Sequence, residues 1–129
     1  METIAARIER EVSSWPGVTV HDHRFGGIEF RLDKREIGHL HGARWADLPF
    51  KRGIRDMLVE TGRAQPHHVL PESGWVSKQI RSDDDVTEVI ELFRLSYERA
   101  QVAANVRASR KQGGEALGAD IAAGNHDPD

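Results

Sequence analysis

The chain has no cysteine, and no apolar run in its 129 residues approaches the roughly 20 residues that a membrane-spanning helix needs. The absence of cysteine excludes disulfides, thiolate nucleophiles and cysteine-ligated zinc, which leaves His, Asp and Glu as side chains for any metal. The N-terminal segment is charged throughout and lacks the apolar stretch of a secretory signal. We therefore expect a cytoplasmic protein with no membrane partner.

The chain also lacks a net positive charge, because 18 Lys and Arg stand against 21 Asp and Glu, for a formal net charge of −3. A protein without a net basic field is poorly suited to bind nucleic acid. A local patch of Arg44, Lys51, Arg52 and Arg55 keeps nucleic-acid binding as an alternative. The sequence does not indicate an oligomeric state.

The spacing of apolar residues predicts an α+β fold, with helices packed on a mainly antiparallel sheet of four to five strands. Ile4, Ile8 and Val12 indicate an N-terminal helix, and Ser82 starts a C-terminal helix. The apolar pattern ends near residue 107. We therefore predict a single domain over residues 1–106, followed by a disordered or loosely ordered tail over residues 107–129.

A middle helix is predicted between these two. Asp47 is placed to cap it, with Pro49 in the first turn and Gly62 as its natural end. The stripe predicted to be buried on it is Phe50, Ile54, Met57, Leu58 and Thr61. Beyond it, Val69-Leu70 and residues 75–80 predict two further strands.

Residues 28–32 and 37–41 predict a β-hairpin around a turn at residues 33–36. With a loop of two or four residues, His39 and His41 share the face of Ile28, Phe30 and Leu32, because side chains alternate across a strand. An odd loop or a bulge would reverse this.

Histidine is concentrated in this part of the chain, since six of the seven lie between positions 21 and 68. Imidazole binds metals and moves protons near neutral pH, so this region is the best candidate for a site. The predicted catalytic residues are His39, His41, His68 and Asp47, with Asp47 orienting an imidazole unless it only caps the helix. The predicted ligand-binding residues are Arg35 and Arg55 for an anion, and Trp75 and Phe30 for a flat ring.

A metal site is the alternative use of these histidines. His39 and His41 would point the same way from a strand, and Asp47 with His67 or His68 would complete three or four ligands. Such a short motif is more often a pair of pocket-lining or core histidines, so we predict no metal and no other cofactor. Of the pair His67-His68, His68 is taken as the inward one.

Several segments resemble the luciferase-domain family, which groups the fungal luciferases with many small bacterial proteins of unknown function. They are GIEFRL (27–32), REIGHLHG (35–42), ADLPF (46–50), HHVLP (67–71), SGWV (73–76) and LFRLSYER (92–99). The resemblance covers roughly residues 15–100. The order of elements also resembles small α+β proteins of the MmcQ/YjbR type, in architecture alone.

Fungal luciferases oxidise a hydroxylated styryl-pyrone with molecular oxygen and need no metal or flavin. The resemblance therefore implies a small-molecule site at residues 36–41 and at a histidine of the pair His67-His68. One hypothesis is a histidine-lined pocket for a planar enolic or phenolic substrate, in a cofactor-free, oxygenase-like enzyme. The other is a non-catalytic module that binds a ligand or a protein and whose histidines are structural. The sequence leaves open whether the chain is an enzyme.

Overall fold

The structure, a computed structural model, describes residues 2–23 and 26–116. Within them the elements are α1 (Ile4–Ser13), β1 (Val18–Asp22), β2 (Ile28–Leu32), β3 (Arg35–His41), β4 (Trp45–Pro49), α2 (Arg52–Glu60), β5 (Gln65–Pro66), β6 (Trp75–Gln79) and α3 (Asp83–Ala116). The strands form one antiparallel sheet in the order β1-β2-β3-β4-β6-β5. The predicted α+β class is confirmed, with N-terminal, middle and C-terminal helices and one strand more than expected.

The hydrophobic core lies between one face of the sheet and the pair α1 and α3. Phe30 of β2 and Phe93 of α3 are fully buried and pack edge to face, with ring centroids 5.2 Å apart. Tyr97 of α3 donates a hydrogen bond of 2.7 Å to the carbonyl of Pro16, just after α1. The helices thus cover one face of the sheet, which leaves the opposite face for other side chains.

A β-bulge decides which face the β3 histidines occupy. Leu32 pairs with Arg35 across the two-residue turn, but the register shifts between Phe30 and Arg31, so that Phe30 pairs with Gly38 and Glu29 with His39. The extra residue in β3 turns His39 and His41 to the face opposite the core. The prediction that they share the face of Phe30 is therefore wrong.

The middle helix begins later than predicted. Asp47 lies within β4, where Ala46 and Leu48 are fully buried on the core side and Trp45 and Asp47 point to the other side. α2 begins at Arg52, after Lys51, so the cap at Asp47 and the place of Phe50 in the helix are wrong. The segment forms a strand instead, because its pairing with β3 and β6 buries its apolar residues Ala46 and Leu48 in the core.

Within α2 only part of the predicted stripe is buried. Leu58 has no exposure, whereas Met57 is 45% exposed. Gly62 follows the helix with a φ of +77°, as expected for a residue that ends a helix.

The strand predicted at Val69-Leu70 is also misplaced. The chain pairs with β6 through Gln65 and Pro66, and Val69 and Leu70 lie exposed in the loop that follows. This loop runs from β5 to β6 and carries His67 and His68 toward the face of the sheet that the helices leave open.

α3 continues ten residues into the predicted tail, as far as Ala116. The alanine-rich stretch after Tyr97 has a high helix propensity, and this accounts for the extension. The domain boundary at residue 106 stays a prediction, and residues 117–129 of the tail lie outside the described part of the chain. Among the described helices, none combines the length and the apolar character needed to cross a membrane.

Candidate functional site

A single buried carboxylate, that of Asp47, forms the centre of the candidate site. Asp47 lies in the middle of β4, opposite His39 of β3 and Ser77 of β6, and is only 1% exposed. Because directly opposed residues of antiparallel strands point to the same face, the pairing brings the three side chains together. Three central strands of the sheet therefore support the site.

Both oxygens of Asp47 accept hydrogen bonds. Oδ1 accepts from the Ser77 hydroxyl at 2.5 Å. Oδ2 lies 3.0 Å from Nε2 of His39 and 3.2 Å from Nε2 of His41, and it accepts from Nε1 of Trp45 at 3.2 Å. These contacts make Asp47 the common acceptor for side chains from β3, β4 and β6.

The loop after β5 brings two more imidazoles to the same oxygen. Nε2 of His68 lies 3.5 Å and Nε2 of His67 3.7 Å from Oδ2 of Asp47. On the other side of its ring, Nδ1 of His67 accepts hydrogen bonds from the backbone N–H groups of Val69 and Leu70. We call the group His39, His41, Asp47, His67 and His68 the histidine–aspartate cluster.

His39 is held between two carboxylates, since its Nδ1 lies 2.7 Å from Oε2 of Glu36 and its Nε2 faces Asp47. Burial lowers the pKa of His39, but the hydrogen bonds to Asp47 and Glu36 outweigh it and raise the pKa to about 9. Burial raises the pKa of Asp47, but the hydrogen bonds from His39 and Ser77 outweigh this and hold it well below its ordinary value.

The pKa values of His41 and His67 are lowered, in contrast to that of His39. Burial lowers the pKa of His41, against the attraction of Asp47, and the positive charge of His39 lowers it further. Burial also lowers the pKa of His67, with the charges of His68 and His39 adding to the effect. The cluster therefore holds the imidazolium of His39 beside the carboxylate of Asp47, whereas His41 and His67 favour the neutral form.

The cluster forms one wall of a cavity of about 790 Å³ on the open face of the sheet. The cavity is lined by acidic, basic, imidazole and apolar side chains: Asp22, His23, Glu29, Arg31, Glu36, His39, His41, Asp47, His67, His68, Val69, Leu70 and Trp75. This volume lies in the range of small-molecule sites. Trp75 supplies the aromatic surface, with its ring centroid 5.4 Å from that of His39.

The structure brings five of the eight predicted site residues together. His39, His41, His68, Asp47 and Trp75 all line this cavity. Their roles remain predictions.

The other three predicted residues lie elsewhere. Phe30 is fully buried in the core on the opposite face and does not line this cavity, so its ligand-binding role stays a prediction without support from this site. Arg35 lies at the β2–β3 turn, away from the cavity. Arg55 donates to Asp56 and to the carbonyl of Pro71, which holds α2 to the loop.

Other residues of the site are absent from the predicted catalytic and ligand-binding residues. His67 is more buried than His68, contrary to the expected order, because its backbone hydrogen bonds fix the ring inside the loop. Arg31 and Glu29 form an ion pair in the cavity wall. Alternation in β2 would identify Arg31 and Glu29, since both stand opposite Phe30 on the strand. His23 stacks on His39 with ring centroids 4.0 Å apart, and no strand alternation identifies it as a site residue.

Several of these side chains could hold a metal ion. In three sets, ligand atoms lie within 4.8 Å of one another, and two of the sets share Asp47: His39, His41 and Asp47; Asp47, His67 and His68; and His23, Glu36 and His39. Nitrogen and carboxylate donors of this kind suit first-row transition metals.

Residues 34–96 match the family model of the Luciferase domain. The match confirms the resemblance found from the sequence, and it spans every member of the histidine–aspartate cluster together with Glu36 and Trp75. The part of the cavity formed by β1 and β2 lies outside the matched segment. Neither the curated proteins nor the solved structures contain a match to this chain.

Proposed function

We propose that the cavity binds a small planar enol or phenol and that the histidine–aspartate cluster takes its proton, as the first step of an oxygenase-like reaction. The observation that supports this is the position of the cluster, which places four imidazoles around one buried carboxylate in the wall of the cavity. A carboxylate that holds one nitrogen of an imidazole orients the other as a proton acceptor.

Hydrogen bonding divides the four histidines into two kinds. His39 has a carboxylate at each nitrogen, and Nδ1 of His67 is engaged by two backbone N–H groups. A neutral imidazole has one acceptor nitrogen, and in His67 that nitrogen is already in use. His41 and His68 are therefore the candidates for accepting the proton of the substrate.

The rest of the cavity offers an aromatic surface and two cations, each paired with a carboxylate. Trp75 presents a ring face for stacking. The imidazolium of His39, held between Asp47 and Glu36, and the guanidinium of Arg31, paired with Glu29, are the positive groups that a bound anion would meet. Deprotonation leaves an electron-rich enolate. Its carbon would form a bond to dioxygen, and the imidazole would return the proton to the outer oxygen, which gives a hydroperoxide. The product then contains all the atoms of the substrate and of one dioxygen molecule, and no other reactant is needed.

A chromogenic phenol tests the binding and the proton transfer together. We would titrate the protein into 4-nitrophenol at about pH 6, where the free phenol is mostly protonated and its anion absorbs visible light. We expect saturable growth of the phenolate band and weaker binding of 4-nitroanisole, which has no acidic proton. The double variant His41→Ala, His68→Ala should lose the band.

His21→Ala is the matched control variant, because His21 contacts Thr19 on β1 and does not line the cavity. It should behave like the wild type. A phenol that binds without forming the anion would refute the proton transfer and favour a non-catalytic binding module. Equal binding of the phenol and its methyl ether would contradict the anion site.

A further inference from the structure

We propose that His39, His41 and Asp47 form a binding site for one divalent transition-metal ion, with its open coordination positions directed into the cavity. This inference goes beyond the proposed function, because a metal ion can bind here without any organic substrate. It also departs from the cofactor-free chemistry that the family resemblance implies.

The two distances from Asp47 to the histidine nitrogens of the triad match those between neighbouring ligands of one metal ion. Bonds of about 2.0–2.2 Å to nitrogen and oxygen place adjacent ligand atoms roughly 2.9–3.5 Å apart in octahedral or tetrahedral geometry. Oδ2 of Asp47 lies 3.0 Å from Nε2 of His39 and 3.2 Å from Nε2 of His41. All three ligand atoms lie within 4.8 Å of one another. The paired strands β3 and β4 hold this arrangement.

Glu36 provides the outer partner that a metal-bound histidine usually has. Its carboxylate lies 2.7 Å from Nδ1 of His39, so Nδ1 keeps its proton and donates it to Glu36. When a metal ion displaces the proton of Nε2, that nitrogen offers its lone pair on the side of Asp47. This carboxylate–histidine–metal relay fixes the tautomer and the ring orientation of a ligand, and it makes the imidazole more basic.

The same reasoning excludes the second triad that contains Asp47. His67 accepts two backbone hydrogen bonds at Nδ1, so its proton resides on Nε2, the nitrogen that faces Asp47. Loss of that proton to a metal would leave His67 with no ring proton, whereas His39 would keep its proton on Nδ1. Asp47, His67 and His68 therefore do not form the site. With His41 as a ligand, His68 remains as the proton acceptor of the proposed reaction.

The donor set defines the class of ion. Two imidazoles and one carboxylate favour Zn²⁺, Fe²⁺, Co²⁺ or Mn²⁺ over Mg²⁺ and Ca²⁺, which take oxygen ligands. Three protein ligands with open positions are typical of catalytic rather than structural sites. Two neutral imidazoles and one carboxylate leave a divalent ion with a net positive charge, which would attract the oxygen of an enolate or phenolate.

Metal titration of untagged, EDTA-stripped protein tests the site. We expect calorimetry with Zn²⁺ to give one ion per chain, and Co²⁺ to give a visible ligand-field spectrum. His41→Ala should weaken binding at least 100-fold and Glu36→Gln by about 10–100-fold, as is usual for outer partners. His21→Ala should bind like the wild type. His41→Gln provides a second variant if alanine impairs folding, which circular dichroism would detect.

Three results would overturn the metal site. They are no stoichiometric binding at about 100 μM Zn²⁺, equal loss of affinity in His21→Ala and His41→Ala, or loss of the site in His67→Ala with affinity retained in His41→Ala.

The metal site and the proposed function fail separately. The metal titrations contain no organic ligand, whereas the 4-nitrophenol titration can be run in EDTA. Phenolate formation in EDTA without Zn²⁺ binding would overturn the metal site alone. Stoichiometric Zn²⁺ binding with no phenolate band, in EDTA or with Zn²⁺, would overturn the proposed function alone.

Discussion

Replacing Asp47 with asparagine is expected to lower the free energy of unfolding of the metal-free protein by about 3 kcal/mol. An amide has the size of the carboxylate but carries no charge. It can keep its oxygen toward His39, His41 and Trp45 if its NH₂ group turns toward Ser77, whose hydroxyl can then accept instead.

The magnitude follows from the three N–H contacts at Oδ2. A hydrogen bond to a charged acceptor contributes about 1 kcal/mol more than one to a neutral acceptor, and Asp47 is almost completely buried, so solvent does not screen the difference. The total of about 3 kcal/mol already includes the lost ion pair with His39. No further penalty for an unpaired buried charge is added, because His39 can release its proton when the charge of Asp47 is removed.

Urea denaturation in EDTA near neutral pH, followed by far-UV circular dichroism, measures the change. Ser77→Ala is the matched control, because it removes a single contact of Asp47 and should cost about 1 kcal/mol. A loss below about 1 kcal/mol in Asp47→Asn, or a gain, would refute the reasoning. Asp47 would then be a residue that opposes folding and is retained for another purpose.

The remaining predictions concern the same strand and the pH dependence of stability. Because the pKa of His39 is raised from 6.5 in the unfolded chain to about 9 in the fold, protonated His39 stabilises the metal-free protein. This contribution, on the order of 3 kcal/mol, is complete below about pH 6.5 and is lost as the pH rises through about 9. Urea denaturation between about pH 6.5 and pH 9 should show this fall in the free energy of unfolding, and the fall should be smaller in Glu36→Gln. A fall of equal size in that variant would contradict the assignment to His39. Gly38→Ala should cost about 1–3 kcal/mol, because φ is +149° and the new Cβ would lie 2.6 Å from Cε1 of Phe93. Gly53→Ala, in α2 with open space around it, should leave stability unchanged or raise it by up to about 1 kcal/mol, and similar losses in the two alanine variants would contradict the steric argument.

Local periodicity is sufficient for several elements of this fold. The spacing of Ile4, Ile8 and Val12 predicts α1, and the alternation in residues 28–32 predicts β2, because each pattern repeats with the period of its own backbone. The concentration of histidine in residues 21–68 likewise indicates most of the candidate site without a structure, although Trp75 and Ser77 lie beyond this range. These properties belong to short stretches of chain and need no knowledge of contacts between distant residues.

Contacts between distant residues decide the rest. One extra residue in β3 turns His39 and His41 away from Phe30. Gly38 lies at this bulge, where a Cβ would come within 2.6 Å of Phe93 of α3. A glycine in a strand permits a bulge, but the sequence does not specify one. By its local sequence, Asp47 before Pro49 favours a helix cap. The pairing of β4 with β3 and β6 makes it the buried centre of four imidazoles, and a local pattern cannot specify such long-range pairing.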